Sequence, residues 1–219
     1  MNAFRRLRTG GPAGNERLTA TIGLVLIGLL AAEAVTAIDL HDLLSTHLFL
    51  GLFLLAPVAL KLATTGWRFA RYYLRSEAYR LLGPPQILLR LLAPLLVASA
   101  LVLFGTGVAF LVVGHGGGTL LTLHAASFAV FGVVVSLHTL AYLTRVLRDG
   151  TADWRKWRPT LAGTSARRAV VVGALAAGAV VALATLSVQG TWLRSRHHRH
   201  EFGDRASRGL VRGQLKRPA

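Results

Sequence analysis

The sequence predicts an all-α integral membrane protein: a four-helix transmembrane bundle able to hold haem, with a fifth transmembrane helix beside it. Three observations lead there. The 219 residues are 53% hydrophobic with a mean hydropathy of +0.51, more apolar than an ordinary soluble domain. The apolar residues gather into five runs, each close to the ~20 residues a helix needs to cross a bilayer. The basic residues lie between and beyond those runs, where membrane proteins carry them, so the net charge of +16 is not read as a nucleic-acid footprint.

Taken in order, a basic tail over residues 1–16 leads into a first span, Leu18–Ile38. Ala32-Glu33-Ala34 has the outline of a signal-peptidase site. The apolar run continues past it and Glu33 disfavours cleavage, so an intact span is expected. The second span, Thr46–Thr65, precedes the segment Arg68–Leu82, which carries Phe69, Tyr72, Tyr73 and Tyr79. That segment reads as a helix lying along the membrane surface, stopped at Gly83-Pro84-Pro85. The third and fourth spans are Ile87–Val113 and Leu120–Leu147, so the four-helix bundle occupies 17–147. A basic loop, 148–168, leads to a fifth span, Ala169–Val188, and a tail over 189–219 that reads as disordered.

Charge sets the expected orientation. The N-terminal tail and the second and fourth connections are rich in Lys and Arg, whereas Asp39–Ser45 and Gly114–Thr119 have none. The positive-inside rule then places the N-terminus in the cytoplasm and makes the second and fourth spans parallel, both running inward. Five spans put the C-terminus outside despite the eight Lys and Arg of the tail from Gln189 onward.

The most informative residues are ionisable groups inside the spans, which are costly in lipid and therefore functional candidates. His124 and His138 are 14 residues apart (138 − 124), as are His47 and Lys61 (61 − 47). Fourteen residues is almost four helical turns, so each pair shares one helix face at about 21 Å separation. Because the two helices are parallel, His47 matches His124 in depth and Lys61 matches His138. Facing imidazoles on neighbouring helices are what a six-coordinate haem iron takes from a protein, an arrangement suited to electron transfer. A histidine in a bundle can equally bond across helices with no cofactor, a reading that weighs most on His138.

With His47, His124 and His138 at these positions, the chain resembles the membrane cytochrome b superfamily in its four-helix haem-binding bundle. The stretch from Trp67-Arg68 through Arg71-Tyr72-Tyr73 to Gly83-Pro84-Pro85 also looks like a group of uncharacterised actinobacterial membrane proteins of this layout. The resemblance covers roughly residues 17–147 and rests on spacing and topology. It implies b-type haem between the second and fourth spans, with His47 and His124 holding one at the outer level. Lys61 stands where the fourth ligand belongs. Three alternatives stay open there: a lysine-ligated second haem, a five-coordinate haem on His138, or no inner haem with Lys61 snorkelling to the surface.

Arg68, Arg71 and Arg90 are candidates for binding haem propionates at the inner level, as against ordinary positive-inside charge. At the outer level the candidates are His41, Thr46 and His115, or Trp192, Arg194 and Arg196, which leads to the expectation that the fifth helix and tail complete the outer site. Gly51, Gly105 and Gly107 are small residues that let a haem or a helix come close. Glu33 either bonds a ligand histidine, carries protons, or sits at the outer interface. His197-His198-Arg199-His200-Glu201 has metal-ligand types but reads as solvated tail. The absence of cysteine excludes disulfides, thiolate metal sites and c-type haem attachment. No phosphate loop, nucleotide fingerprint or nucleophile–base arrangement is present.

The expected function is electron transfer through haem b, between a quinol or cytoplasmic donor and an outer-face acceptor or partner oxidoreductase, as a subunit rather than a stand-alone enzyme. Its surroundings are membrane lipid, with no nucleic acid. The alternatives are a haem-free transporter or assembly subunit, and a reductase with an open haem site at His138.

Overall fold

Polar side chains answered from within one bundle, and apolar ones left facing outward, describe how this chain folds. The computed structural model describes residues 10–74, 76–81, 87–113, 118–155, 161–191 and 193, and the regular structure among them is entirely helical. The elements are α1 (Gly11–Ile38), α2 (Leu44–Tyr73), the single turn α3 (Glu77–Arg80), α4 (Ile87–Val113), α5 (Thr119–Gly150) and α6 (Thr164–Ala184). All except α3 are long and apolar enough to cross a membrane, which makes this a multi-pass membrane protein. Val133, Val172 and Val180 are 62%, 54% and 64% exposed on helix surfaces that only lipid would cover.

The spans match the apolar runs, except that α1 already begins at Gly11, within the stretch expected as tail, and in two further respects. Helix α2 continues past Thr65 to Tyr73, because the aromatic residues that suggested a surface helix extend the same helix with no breaker between. Only Glu77–Arg80 forms a separate turn, and its Tyr79 is buried beneath the bundle. Helix α6 ends at Ala184, and after a turn at Thr185 the chain is helical again over 186–191.

Helices α1, α2, α4 and α5 form a ring. Helix α1 packs closely on α2 and α5, α5 packs closely on α4, and α4 touches α2 sparsely. A compact apolar core of Ile22, Leu26 and Leu54, with Val58 and Phe104 against it, holds α1 to α2. Helix α6 stands outside the ring against α2. Pro57, inside α2, cannot donate to the Phe53 carbonyl four residues earlier. Gly178 of α6 approaches that carbonyl so closely that a Cβ would collide with it, and would lie 3.3 Å from Pro57 Cδ.

A polar clasp ties the basic ends of the helices together. Asp153, with its side chain 3% exposed, accepts from Arg17 Nη1 at 2.9 Å and from Arg167 at 2.5 and 3.0 Å. Arg168 donates to the Asp153 carbonyl. Thr21 Oγ1 donates to the Gly150 carbonyl at 3.0 Å, and Arg145 pairs with Glu16 at 3.1 Å. These contacts place the start of α1, the end of α5 and the start of α6 at one end, so α1 opposes α5 in direction. Burial alone raises the Asp153 carboxyl, but the hydrogen bonds and charges of Arg167 and Arg17 outweigh it and hold it below its ordinary 3.8.

Two predictions follow from these contacts. Gly178→Val drives a branched side chain into the Phe53 carbonyl. It should destabilise the protein by the ~1–3 kcal/mol typical of overpacking, and an unchanged melting temperature in detergent would refute the close approach. Asp153→Asn should cost roughly the 3–5 kcal/mol of a broken buried pair. Because the folded carboxyl is depressed, its contribution is present above the ordinary value and lost as pH falls through the lower, folded one. The stability gap between wild type and variant should therefore narrow as pH falls below the ordinary value of 3.8; a gap constant with pH would contradict the charge assignment.

Candidate functional site

The ring of four helices is not filled. A cavity of about 2040 Å³ runs along its interior, several-fold larger than many small-molecule sites of ~300–1,000 Å³. His47, His124, His138, Lys61 and Arg68 all line it. Toward the α1–α2 turn it is bordered by Glu33, His47, Gly51, Gly107, Phe110 and His124, and toward the basic end by Lys61, Arg68, Tyr79, His138, Tyr142 and Arg145.

At the first level, His47 comes from the start of α2 and His124 from the start of α5. His47 Nδ1 lies 3.0 Å from Glu33 Oε1 and 3.1 Å from Thr36 Oγ1, both on the last turns of α1. The Thr36 hydroxyl donates to the Glu33 carbonyl at 2.7 Å. With its proton committed there, the Thr36 oxygen accepts from His47 Nδ1–H, which leaves the lone pair on Nε2. His124 reaches the same tautomer in a similar way. Thr106 of α4 donates its hydroxyl proton back to the Val102 carbonyl at 2.7 Å, as a helical threonine does. Its oxygen is left to accept from His124 Nδ1–H at 2.8 Å. Phe110 holds the ring edge-on, with centroids 5.4 Å apart. His124 also hydrogen-bonds the Leu103 backbone, and no side-chain partner is found for either Nε2 among the described residues. The two rings are within electrostatic range of each other, with Glu33 also in range of His124.

Glycines make room at this level. A Cβ at Gly107 would stand 3.5 Å from His124 Cε1, and one at Gly51 3.3 Å from Glu33 Oε1. Gly105 has open space beside it, so its smallness serves no contact.

The second level is different in kind. Lys61 Nζ donates to the Thr19 carbonyl at 2.8 Å, reaching across to α1 beside Gly23 instead of running out to the surface. His138 is within electrostatic range of Lys61, and its ring packs on Tyr142 at 5.1 Å. His138 Nδ1 is buried with no hydrogen-bond partner. Arg71 is turned elsewhere: its guanidinium lies 5.6 Å from the Trp67 ring centroid, it donates to Ser76 Oγ at 3.2 Å, and it does not border the cavity.

The expected role of the fifth helix finds no support in this geometry, since no residue of α6 lines the cavity. Neither His41 nor Thr46 lines it. His41 is 96% exposed and pairs with Asp42 at 2.7 Å, whose hydrogen bond and charge raise its pKa. The side chain of Arg90, and His115, Trp192, Arg194, Arg196 and the 197–201 cluster, lie outside the described residues. Thr36, Thr106 and Thr19 escaped the sequence reading, although a threonine inside an apolar span, three residues after an acid or flanked by glycines, was a usable signal. Among the described residues no three His, Cys, Asp or Glu cluster as a bare-metal site; a haem, whose ring supplies four ligands itself, needs only two. No protein-family model, curated protein or solved structure matches the chain.

The pairing of Glu33 with His47 generates a prediction about structure alone. Glu33→Ala removes the acceptor of a ring N–H within the bundle and should cost about 1–3 kcal/mol in the purified protein; Glu33→Gln keeps an acceptor and should recover most of it. Equal losses in both variants would mean that the contact is not a hydrogen bond.

Proposed function

We propose that the protein is a b-type haem electron-transfer protein of the cytoplasmic membrane, with its N-terminus in the cytoplasm and its C-terminus outside. One observation carries the reading. His47 and His124, on two different helices, each have Nδ1–H anchored and Nε2 left without a side-chain partner beside one large apolar cavity. Metal-bound histidines commonly donate their other N–H in this way, to a carboxylate or another acceptor, and this fixes the tautomer that can bind iron.

The residues present fit haem b at this level. His47 and His124 would hold the iron from α2 and α5, Glu33 and Thr106 would orient the two rings, and Phe110 and Phe128 would contribute apolar walls. When bound, haem b supplies one-electron transfer at iron. Glu33 would fix the orientation and tautomer of the His47 ring, and the apolar walls would exclude water from it. The electron would pass between a quinol or cytoplasmic donor and an acceptor or oxidoreductase at the outer face. The partner rests on analogy alone.

Haem b per polypeptide, measured by pyridine haemochrome on protein expressed with excess haem, should be near one. His47→Ala and His124→Ala should each abolish it, and His138→Ala should retain it. Glu33→Gln should weaken haem retention about 10–100-fold and raise the midpoint potential. A colourless protein would instead favour a haem-free transporter or assembly subunit, a reading supported by Glu33 and Thr106 satisfying both rings without a cofactor. A carbon-monoxide-binding component removed by His138→Ala would favour a reductase with an open site.

A further inference from the structure

We propose that Lys61 and Thr19 form the head-group site of a carboxylate in the basic half of the cavity, and that a long-chain fatty acid supplies it. The inference goes beyond the electron-transfer reading and does not require haem at His47 and His124.

The first observation is an uncompensated cation. Lys61 Nζ gives one of its three protons to the Thr19 carbonyl, at 2.8 Å. Gly23 clears the space in which the ammonium sits, since a Cβ there would stand 3.0 Å from Nζ. No carboxylate pairs with Lys61 among the described residues. Glu16, one turn before Thr19 on α1, is engaged by Arg145 at 3.1 Å. A charge inside a membrane span is ordinarily answered by an opposite charge or by backbone carbonyls. One carbonyl answers Lys61, which leaves two protons and the charge itself unmatched.

The second observation is an orphaned hydroxyl on the residue where Lys61 rests. A threonine within a helix commonly returns its proton to a carbonyl three or four residues back. Thr21, Thr64 and Thr106 all do so. Thr19 Oγ1 is buried and has no partner, although Thr19 borders the cavity. His138 stands within electrostatic range of Lys61. Its Nδ1 is buried with nothing to accept from it, which favours the tautomer that carries the proton on Nε2. This level of the cavity therefore collects donors. An ionised carboxylate only accepts, brings the missing charge, and has one oxygen for the ammonium and one for the hydroxyl.

The walls indicate what the carboxylate is attached to. Leu26, Val58 and Phe131 border the same cavity, and a small free anion would leave that apolar space unfilled. Helices α2 and α4 touch sparsely, whereas the other three sides of the ring are closely packed. Val97 and Leu101 line the cavity from α4 and are 38% and 61% exposed, so it borders the lipid-facing surface there. A single acyl chain would lie along that seam with its one charged end at Lys61.

The test is equilibrium binding of radiolabelled oleate to the full-length protein in dodecyl maltoside. Oleyl alcohol and acetate serve as competitors, and haem content is read on the same sample. One saturable oleate site per chain is expected, and oleyl alcohol, which lacks the charge, should not clear it. Lys61→Met should weaken oleate binding about tenfold or more, the loss of a hydrogen bond from a charged donor. Thr19→Val should weaken it about threefold, the loss of a neutral one. Thr19→Val keeps the backbone carbonyl that holds Lys61 and removes a hydroxyl the ligand-free fold does not use, so it serves if Lys61→Met fails to fold. Haem content should be unchanged in both. Full oleate affinity in the folded variants, or displacement by oleyl alcohol as readily as by unlabelled oleate, would overturn the inference. Acetate displacing oleate at equal concentration would overturn it in favour of a site for free carboxylates. Loss of haem together with oleate binding would overturn it as well, assigning Lys61 to a haem propionate. Oleate binding that depends on Lys61 in a colourless protein would support it while ending the haem reading.

Discussion

Every polar group placed in hydrocarbon must be answered from inside the protein, and this constraint organises the whole molecule. Among the described residues the bundle carries few ionisable side chains at depth, and apart from His138 each has drawn a partner from a different helix. Glu33 of α1 meets His47 of α2, Thr106 of α4 meets His124 of α5, and Lys61 of α2 meets the Thr19 carbonyl of α1. These contacts join neighbouring helices beside the cavity, in addition to the packing that already holds α1 to α2 and α4 to α5. At the basic end Asp153 does the same work for three arginines, joining α1 to the α5–α6 connection.

The cavity survives because the packing is uneven. Ile22, Leu26 and Leu54 concentrate the dry core between α1 and α2, and α4 closes on α5 along its length. The sparse contact of α2 with α4 leaves a space that a protein without a ligand would be expected to fill, since interiors ordinarily pack to crystal-like density. Helix α6 contributes by buttressing α2 from behind. Gly178 seats it on the carbonyl that Pro57 releases, on the side of α2 away from the cavity.

Much of this was legible in the sequence. Five apolar runs separated by basic connections gave the helices, and the 14-residue spacings put His47, Lys61, His124 and His138 along one interior. Their matching depth followed from the parallel direction of two spans. What the sequence did not carry is which polar group answers which, because spacing along one helix says nothing about a threonine on another. Thr36 and Thr106 therefore went unnoticed, and Glu33 stood among three alternatives until its place beside His47 was known. The surface helix expected over 68–82 became mostly an extension of α2, since aromatic residues at a membrane interface look alike in either geometry. Arg71 was drawn to the cavity by its position in sequence, but a neighbouring Trp67 and Ser76 hold it aside.

The same spacing has thus been given two chemistries. On both levels a side chain from α2 and one from α5 share the cavity, and composition alone would treat them as equivalent. The difference lies one bond further out. An acceptor behind Nδ1 turns a histidine into a lone-pair donor toward the cavity; the lack of one turns it into a hydrogen-bond donor. Replacing the fourth histidine by Lys61 fits the second case, because an ammonium held on a helix carbonyl can offer protons but no lone pair. Lys61, about 21 Å along the helix from His47, then reads less as a damaged haem ligand than as a proton donor turned toward α1.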